Sequence, residues 1–388
     1  MKKVVIIGGG PSGLMTAYQL SKSKQFDITV FDANKAVARK FLVAGHGGFN
    51  LSNAKDSNTF ISNYNHSIIQ EAFHAFDNHA VVSFLNEIGV ETYVGSSGKL
   101  FPKVGIKPID VLNAWISMLK DNGVRIVTNH ELVDFDSKQI VVQNNDTKTV
   151  HIFDYCVLAL GGASWKKTGS TGTWFSLFKQ KQFDVIPFEA SNAGMIISNW
   201  DTHFEGNVLK NVLVQIADRQ LLGEVVLTTY GVEGSPIYAL NQYVRSGISE
   251  LSINFKPQLS FDELTLRFSK FKGNKSEFLS SLKLSKIVIR LFKRFLSKAE
   301  FLDDETFLRN IVEFKLSVDK LRPIDEAISS VGGLSMNEMT SNFELKKNPN
   351  IYAVGEMLDW DAPTGGYLLQ ACFASGFVAA KSIIDKSN

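Results

Sequence analysis

The chain has few of the residues that build disulfide frameworks or zinc centres. Only two of its 388 residues are cysteines, Cys156 and Cys372, and they lie far apart in apolar surroundings. This excludes a disulfide scaffold, paired-cysteine zinc ligands and a Cys-x-x-Cys redox motif. The net charge is only +2, so no global field favours nucleic acid or a membrane surface.

Long hydrophobic runs are also expected to be absent, because no uninterrupted apolar stretch reaches the roughly 18 residues of a membrane helix. The opening "MKKVVII" imitates the start of a secretory leader, but its apolar run breaks at Gly8 and no small-residue cleavage site follows. We therefore expect a cytoplasmic protein. A hydrophobic content of 44% and a charged content of 21% are ordinary for a soluble globular chain, and its length predicts two or three domains.

What the chain does have is a strand, a glycine-rich turn and a helix at its very start. Val4–Ile7 is a β-branched run typical of a buried strand, and Gly8, Gly10 and Gly13 give the spacing G-x-G-x-x-G. A second strand ends at Asp32, about 20 residues further on, where a carboxylate would bind a ribose 2′-hydroxyl and repel a 2′-phosphate. The pattern predicts a site for an adenine dinucleotide.

The middle of the chain has a different character. Residues 189–256 have the pattern of short strands with turns, and residues 258–312 have a helical pattern. Between residues 256 and 300, eleven Lys and Arg stand against four Asp and Glu, and such a basic segment is able to contact an anionic partner such as RNA, although the sequence gives no strong nucleic-acid signal elsewhere. The phenylalanines of this stretch have core-like helical spacing, which favours the simpler interpretation of a packed core with a solvated lysine face.

The end of the chain returns to the opening theme. "NIYAVGEMLD", Asn350–Asp359, predicts a strand that stops at Gly355 and Glu356, and a proline, a glycine pair and a long apolar helix follow. This piece cannot form a domain alone. We expect its strand to join the N-terminal sheet, which makes residues 189–320 an insertion.

This distal block favours a flavin over a nicotinamide cofactor alone, because a flavin extends far beyond the pyrophosphate. Glu356 at a strand end suits a ribityl hydroxyl or a water. The helix after Thr364–Tyr367 would direct backbone N–H groups at the N1/O2 edge of the flavin ring. Since the chain has one complete G-x-G-x-x-G motif, a second, dedicated nicotinamide domain is not expected. A flavin-free NAD-dependent dehydrogenase is the alternative that the block disfavours.

Five segments together resemble the BaiN-like flavoproteins, whose members are NAD(P)/FAD-dependent oxidoreductases or aminoacetone-oxidase-like enzymes. The segments are "VVIIGGGPSGLMTA", "ARKFLVAGHGGFNLSN", "LALGGASWKKTGSTG", "PIDEAISSVGGLS" and "YAVGEMLDWDAPTGGYLLQACFASG". The likeness runs from residue 3 to about residue 381 and is greatest for the subgroup with the motif GEMLDW-APTGGYLL. The chain departs from the broad family in reading "AGHGGFN" instead of S-G-G-G-R-C-N, and in carrying Leu368 where Asn is usual.

The resemblance implies an α/β fold whose FAD-binding, Rossmann-like domain of the glutathione-reductase type is discontinuous. It also implies an inserted β-barrel-like domain with a helical subdomain within it. The expected boundaries are 1–188 and 326–388 for the two parts of the FAD domain, 189–256 for the β-rich insertion, 257–312 for the helical insertion, and 313–325 for the return through the β-rich part.

The resemblance also implies which residues surround a non-covalent FAD, and it implies no metal site. The ADP half is held by Gly8, Gly10, Pro11, Ser12, Gly13, Asp32 and Ala33, with the backbone of Val133 at the adenine. The pyrophosphate and flavin are lined by Arg39, Lys40, Gly45, Gly47, Asn50 and Leu51. The cofactor is flanked by Ala159, Gly161 and Gly162. The ribityl chain and the ring are surrounded by Gly355, Glu356, Gly365, Gly366, Tyr367 and Gln370.

Candidate catalytic groups are fewer. His46 would transfer protons near neutral pH from a loop beside the flavin, although a histidine between glycines is as well explained by hydrogen bonds to backbone. Trp165 and Tyr230, like Tyr367, would form a wall for substrate against the ring, or belong to the core. Two aspartates, Asp359 and Asp361, are expected either to bind a cationic amine or to cap the following helix.

The function predicted from these features is an FAD-dependent oxidoreductase. It would pass a hydride between flavin N5 and a small organic substrate, either an amine or a carbonyl or enone compound. Two alternatives remain for the redox partner. The enzyme is either an oxidase that uses oxygen or a reductase that uses NAD(P)H as electron donor. A small-molecule substrate and no membrane partner are expected. The alternative from another class is an RNA- or tRNA-linked flavoprotein that uses the basic helical insertion.

Overall fold

The structure is a computed structural model that describes residues 1–43 and 48–388. The chain divides into two compact units, which are described separately. Unit 1 consists of Met1–Ala190 and Ile324–Asn388, and unit 2 of Ser191–Pro323. Unit 1 is therefore built from both ends of the chain.

The helices are numbered along the chain. They are α1 Pro11–Ser21, α2 Arg39–Val43, α3 Ser57–Ile61, α4 Ser67–Ala75, α5 Asn78–Glu87, α6 Pro108–Asp121, α7 Trp174–Gln180, α8 Ser235–Ala239, α9 Asn241–Arg245, α10 Phe261–Ser269, α11 Lys275–Ser281, α12 Lys286–Phe295, α13 Lys298–Leu302, α14 Asp304–Val312 and α15 Tyr367–Ser387.

The strands are numbered in the same way. They are β1 Lys2–Ile7, β2 Phe26–Phe31, β3 Ser52–Asn53, β4 Thr92–Val94, β5 Lys99–Pro102, β6 Arg125–Val127, β7 Glu131–Phe135, β8 Gln139–Asn144, β9 Thr147–Ile152, β10 Tyr155–Leu158, β11 Val185–Ser191, β12 Met195–Ile197, β13 Val208–Ile216, β14 Arg219–Leu227, β15 Gly231–Glu233, β16 Glu250–Asn254, β17 Phe314–Leu321, β18 Ser329–Leu334 and β19 Ile351–Ala353.

The central sheet of unit 1 is parallel and has the strand order β19-β10-β1-β2-β6. The β-branched run predicted as a buried strand forms the middle of β1, where Val4 pairs with Tyr155 on one side and with Ile28 on the other. β19 pairs with β10 through Ile351 and Cys156. The prediction that the C-terminal strand joins the N-terminal sheet, and that this domain is discontinuous, is confirmed.

Helices α1 and α15 pack against each other at very short range. A Cβ atom placed on Gly376 of α15 would lie 2.3 Å from the carbonyl oxygen of Ser12 in α1. Thr16 Oγ1 donates to the Ser12 carbonyl at 2.9 Å and to the Gly376 carbonyl at 3.1 Å. The contact joins the two ends of the chain.

The same helix α15 corrects one sequence expectation. Within the described residues it is long and apolar enough to cross a membrane by length and composition, although no such stretch was expected. Of its apolar window, 56% is buried inside the protein, and the burial against α1 accounts for its composition as that of a core helix.

The helical spacing of residues 68–88 corresponds to two helices, α4 and α5, which are separated at Phe76 and Asp77. The Asp77 carboxylate accepts the backbone N–H of Ala80 at 2.8 Å, so it starts a new helix as an N-cap. The strands β7, β8 and β9 form an antiparallel sheet of three strands.

Unit 2 is a closed barrel of six strands in the order β12-β15-β14-β13-β16-β17, as the predicted fold class requires. Helices α10 to α14 lie between β16 and β17 in the chain. Their side chains share one hydrophobic core with the barrel strands, since Phe278, Phe292 and Phe307 belong to the same buried cluster as Phe255 and Phe314. The helices and the barrel are thus one packed body.

Candidate functional site

A cleft of about 370 Å³ lies at the carboxyl ends of β1, β2 and β10, the place where open parallel sheets bind ligands. Its volume is within the range of small-molecule sites. Most of the residues expected to bind the ADP half line it, and so does the carboxylate from the far end of the chain. The predicted residues that line the cleft are Gly8, Gly10, Pro11, Ser12, Asp32, Ala33, Arg39, Lys40, Val133, Ala159, Gly161 and Glu356.

The three glycines of the first motif have different physical roles. A Cβ atom on Gly8, whose φ is +106°, would lie 2.0 Å from the carbonyl oxygen of Ala159, and one on Gly13 would lie 2.0 Å from the carbonyl oxygen of Gly8. Around Gly10, by contrast, no atom of the described residues is within 4 Å of such a Cβ. Gly8 and Gly13 therefore permit close packing, and Gly10 leaves open space on the cleft side.

The helix that begins beside Gly10 offers an anion site. Within the described residues, no side chain caps the N-terminus of α1, so its first backbone N–H groups remain for a ligand. An uncapped helix N-terminus carries a partial positive charge and favours a phosphate. Helix α15 also begins without a side-chain cap, at Gly366 with φ of +101°.

Asp32 is held in place at the end of β2 and is only 8% exposed. Its Oδ2 accepts the Gly9 N–H at 2.9 Å, and its Oδ1 accepts the backbone and side-chain N–H groups of Asn34 at 2.8 and 3.1 Å. A carboxylate has about four acceptor positions, so one remains for a ribose hydroxyl. The same bonds hold its orientation without the cofactor.

At the other end of the cleft, Lys40 and Glu356 form an ion pair. Lys40 Nζ lies 2.9 and 2.8 Å from the two carboxylate oxygens and 2.7 Å from Ser164 Oγ. Glu356 also accepts the Ser330 N–H at 3.2 Å. Gly162 lies beneath the pair, where a Cβ would be 2.1 Å from Ser330 Oγ. The structure thus brings Lys40, Gly162 and Glu356 together.

Cys372 also lines this end of the cleft. Burial raises the pKa of its thiol to about 12, and the nearby Glu356 carboxylate contributes in the same direction. The group is therefore a neutral thiol at physiological pH and not a nucleophilic thiolate.

The short strand β3 and the C-terminal glycine pair, Gly365 and Gly366, meet in the structure. A Cβ on Gly366 would be 2.4 Å from the Ser52 carbonyl oxygen, and Asn53 Nδ2 donates to the Gly365 carbonyl at 3.2 Å. Of the predicted residues before Ser52, Leu51 is fully buried and donates its N–H to Leu100, and Asn50 is partly exposed.

Three other predicted residues, Gln370, Tyr367 and Gly355, make contacts inside the protein. Gln370 accepts from Ser52 Oγ at 2.6 Å and donates to the Phe76 carbonyl at 2.7 Å, which uses both ends of its amide. The ring of Tyr367 is 4% exposed and packs on Phe60. A Cβ on Gly355 would lie 2.3 Å from Ser12 Oγ. The side chains of Tyr367 and Gln370 are therefore not brought into the cleft.

The catalytic candidates are distributed differently. Gly45, His46 and Gly47 lie outside the described residues, so the proton-transfer role of His46 stays a prediction. Trp165 has a left-handed backbone with φ of +60°, and its buried indole nitrogen has no hydrogen-bond partner among the described residues. A strained backbone of this kind occurs most often at functional sites.

The remaining candidates belong to two separate places. In unit 1, Asp359 accepts the Gly332 N–H at 3.0 Å, and burial raises the pKa of its carboxyl group, while Asp361 bonds the N–H of Ala362 next to it. In unit 2, the Tyr230 hydroxyl donates to Glu233. That carboxylate also accepts from Tyr238 at 3.1 Å.

Several cleft residues were not predicted from the sequence. They come from the turn after β2, the turn before β7, the loop between β10 and α7, the start of α7, and α15. A sequence signal existed only for the loop, whose "KKTGSTG" is rich in Gly and Thr a few residues after a buried strand. The residues are Asn34, His130, Ser170, Trp174 and Cys372.

A parallel sheet with this glycine motif, an acidic residue at the end of β2 and a cleft at the strand ends defines a Rossmann-type nucleotide-binding protein. Residues 2–382 match the family described as HI0933-like protein Rossmann domain, so the chain belongs to that family, the group of flavoproteins that the motifs indicate.

Two characterised relatives match nearly the whole chain. A 3-dehydro-bile acid delta(4,6)-reductase of Clostridium scindens is 22% identical, with 100% of both chains covered. A ribosomal RNA dihydrouridine synthase of Haemophilus influenzae is 23% identical over 98% of both.

Solved structures share the fold. A flavocytochrome c3 fumarate reductase in its open conformation superposes with a TM-score of 0.55 at 13% identity, over 99% of this chain and 78% of the other. The 3-ketosteroid-delta4-(5alpha)-dehydrogenase of Rhodococcus jostii RHA1 gives 0.52 at 13% identity, over 98% and 97%.

Proposed function

We propose that the protein is an FAD-dependent oxidoreductase that transfers a hydride between flavin N5 of a non-covalently bound FAD and a carbon–carbon double bond conjugated to a carbonyl group. The observation that carries the proposal is one cleft lined by Asp32 at one end and by Glu356 and Cys372 at the other. An adenosine site alone needs only the Asp32 end. The second end, built from the opposite terminus of the chain, suits a longer cofactor.

The residues of the cleft fit FAD. The open space at Gly10 and the uncapped start of α1 suit the pyrophosphate, and Asp32 has an acceptor position for the adenosine ribose. The Lys40–Glu356 pair offers a cation and a carboxylate to the ribityl chain and the flavin edge. Bound FAD supplies hydride transfer at N5, and the protein supplies binding, orientation and charge.

The relatives' names support the substrate class. A 3-dehydro-bile acid with delta-4,6 unsaturation has double bonds conjugated to a 3-keto group, and dihydrouridine forms by saturation of a uracil double bond conjugated to a carbonyl. The two activities therefore share one type of reaction. This favours a reductase with NAD(P)H as electron donor over an amine oxidase.

Reduction of such a bond adds a hydride to the β carbon and a proton to the α carbon, so a proton donor is needed. His46 is our proposed donor, on the basis of its histidine chemistry and its position in the sequence between α2 and β3. His46→Gln should then lose the neutral limb of the pH–rate profile and keep its flavin content. A variant with an unchanged rate and profile would assign the proton to water.

The decisive experiment is spectroscopic. The purified protein should be yellow and release FAD on heating, and anaerobic NADH or NADPH should bleach the flavin. Reoxidation of the reduced flavin is then followed with an unsaturated 3-ketosteroid and with a uridine-containing RNA, and a primary amine is tested separately as a reductant of the oxidised flavin. A colourless protein that still binds NADH would contradict the flavin assignment, and turnover with the amine alone would contradict the enone assignment.

RNA as the carrier of the reducible base is the second candidate, and the charges of unit 2 favour it. Three of the four acidic residues between 256 and 300 accept the backbone N–H of their own helix N-caps, namely Glu263, Glu277 and Glu300. They are thereby held at helix N-termini. The exposed basic residues from α11 to α13 are Lys283, Lys286, Arg290, Lys293, Arg294 and Lys298.

The geometry of α12 keeps the four of these charges that it carries on the outside, since its buried face is formed by Ile287, Val288, Leu291 and Phe292. If the helices hold RNA, Lys286→Glu and Lys293→Glu should weaken binding of a ribosomal RNA fragment and flatten its salt dependence. Lys138→Glu, an exposed lysine of unit 1, serves as the matched control. Equal binding by all three variants would leave the free enone as the substrate.

A further inference from the structure

The hydroxyl group of Ser170 is buried in the wall of the cleft with no hydrogen-bond partner among the described residues. Ser170 is only 8% exposed, and it is one of the residues that line the cleft. A buried donor without a partner is unfavourable, so folded proteins keep few such groups and each requires an explanation. A hydroxyl that a ligand completes is one such explanation.

The loop that carries Ser170 packs directly on the residue beside the ribose-binding carboxylate. A Cβ on Gly169, whose φ is +95°, would lie 2.3 Å from the side-chain nitrogen of Asn34. That same nitrogen donates to Asp32 Oδ1 at 3.1 Å. The loop is therefore adjacent to the end of β2, where the adenosine ribose is expected.

Arg39 holds the loop in this position. Its guanidinium donates to Asn34 Oδ1 at 2.9 Å and to the Lys167 carbonyl at 2.7 Å, which links the loop to the turn after β2. On the opposite side, a Cβ on Gly161 would be 3.8 Å from Ser170 Oγ. The hydroxyl is thus positioned near the ends of both β2 and β10 before any cofactor binds. A donor placed in advance costs less ordering when the ligand arrives.

The neighbours decide which part of a dinucleotide the hydroxyl can reach. The loop contacts Asn34 and approaches Gly161, whereas Ser164, Lys40 and Glu356 form a separate hydrogen-bonded group at the other end of the cleft. We propose that Ser170 is a cofactor-binding residue that donates its hydrogen bond to a ribose or phosphate oxygen of the ADP half of FAD. The inference rests on the proposed function, because FAD is its ligand.

The loop would then be a second nucleotide-binding element, facing the glycine motif across the cleft. The first element offers backbone N–H groups at the start of α1, and the second offers a side-chain hydroxyl that the fold leaves unpaired. Ser170→Ala removes one oxygen atom that no described residue uses, so the variant should fold normally. This makes the substitution an unusually clean test of ligand binding.

The experiment measures the dissociation constants of FAD and of ADP for the apoprotein, by flavin fluorescence and by calorimetry. For Ser170→Ala we expect both constants to rise by the same factor, about tenfold for one lost hydrogen bond to an anionic or polar oxygen. The melting temperature of the apoprotein should stay equal or rise slightly. Ser21→Ala is the matched control, since it removes a buried hydroxyl that donates within α1, outside the cleft.

Ser21→Ala should leave both dissociation constants unchanged. If the wild type binds FAD, and Ser170→Ala binds FAD and ADP as tightly as the wild type does, the hydroxyl makes no hydrogen bond to the cofactor and the inference is wrong. A loss of FAD affinity with unchanged ADP affinity would also overturn it, by assigning the hydroxyl to the flavin half. A lower apoprotein melting temperature would show a structural role instead. Failure of the wild type to bind FAD would contradict the proposed function itself.

Discussion

Lys40 and Glu356 are 316 positions apart in the chain, and yet the ammonium group of one lies within 2.9 Å of both carboxylate oxygens of the other. The pair joins α2, in the N-terminal part of unit 1, to the turn after β19 in the C-terminal part. The Lys40 side chain is 27% exposed and that of Glu356 is 17% exposed, so water screens the pair only in part. It is therefore both a charge pair in the wall of the cleft and a link between the two ends of the chain.

Removing one partner of this pair should cost stability. Lys40→Met leaves a mostly buried carboxylate with the Ser330 N–H as its remaining hydrogen-bond partner among the described residues, and we expect a loss of roughly 1–3 kcal/mol in urea unfolding of the apoprotein. The double variant with Glu356→Gln should recover part of that loss. Lys103→Met, which breaks an exposed pair with Glu91, is the control and should change little. Additive effects of the two cleft substitutions would show that the charges do not interact.

The sequence was sufficient to single out both members of this pair as candidate site residues, and both line the cleft, but it did not predict their contact. Glu356 stands at a strand end, and Lys40 follows Arg39 in a loop-like stretch, and each position has a local signal. Their approach depends on β19 entering the sheet beside β10, a pairing between segments almost 200 residues apart. Local sequence patterns do not predict contacts between segments so far apart. The strand pairing itself was inferred only because the C-terminal piece cannot form a domain alone.

Side-chain contacts were harder to predict than position. Tyr367 and Gln370 lie at the start of α15 as expected, but the sequence did not predict the contact of Tyr367 with Phe60 or the hydrogen bond of Gln370 with Ser52. Ser170 was missed altogether. A serine in a Gly/Thr-rich loop has no charge or spacing that distinguishes it from solvent-exposed neighbours, and only its burial in three dimensions reveals it.

Asp32 should matter for both the cofactor and the fold. Asp32→Ala is expected to weaken FAD binding by about 1.5–3 kcal/mol, the range for a hydrogen bond to a charged group. Since Asp32 also accepts from Gly9 and Asn34, the apoprotein should lose stability as well. Asp27→Asn in the same strand is the control for a charge change outside the cleft, because Asp27 pairs with Arg125. FAD affinity that is unchanged in Asp32→Ala would mean that the carboxylate serves the fold alone.

Two glycines of the first motif should separate stability from binding. Gly10→Ala adds a methyl group where no described atom is within 4 Å, so the apoprotein should keep its melting temperature while FAD binding weakens. Gly13→Ala forces a Cβ against the Gly8 carbonyl at 2.0 Å, so the apoprotein itself should be destabilised, although alanine favours a helix by about 1 kcal/mol over glycine. Equal melting temperatures for the two variants would contradict these packing roles.

The two cysteine thiols should be unreactive towards thiol reagents in the native protein. Burial raises the pKa of Cys372 to about 12 and holds the pKa of Cys156 above its usual range, so neither forms appreciable thiolate at pH 8. A disulfide reagent should then react slowly with native protein and rapidly with both thiols after unfolding, and Cys372→Ala should remove one of the two. Because both folded pKa values lie above the unfolded value of about 8.5, stability should fall as pH rises beyond that value. Fast native labelling that Cys372→Ala abolishes would show an open cleft.

The last prediction concerns which part of the chain is needed to bind the cofactor. All residues that line the cleft belong to unit 1, and β11 and β18 are neighbouring strands of one sheet on either side of unit 2 in the chain. The chain ends at Ala190 and Ile324 are therefore close enough for a short Gly/Ser linker, whose closure costs little. A chain with residues 191–323 replaced in this way should fold and bind FAD.

Cutting at the unit boundary is preferable to removing the helices alone, because Phe278, Phe292 and Phe307 share a core with the barrel strands. The paired variant ends after Pro323 and lacks β18, β19 and α15. It keeps every residue of the glycine motif, but it unpairs one edge of β10 and exposes the face of α1 that Gly376 and its neighbours cover. We expect it to lose both cooperative unfolding and FAD. If this shortened chain instead unfolded cooperatively and bound FAD, the N-terminal part would be a complete domain, and the C-terminal strand and helix would have no share in the cofactor site.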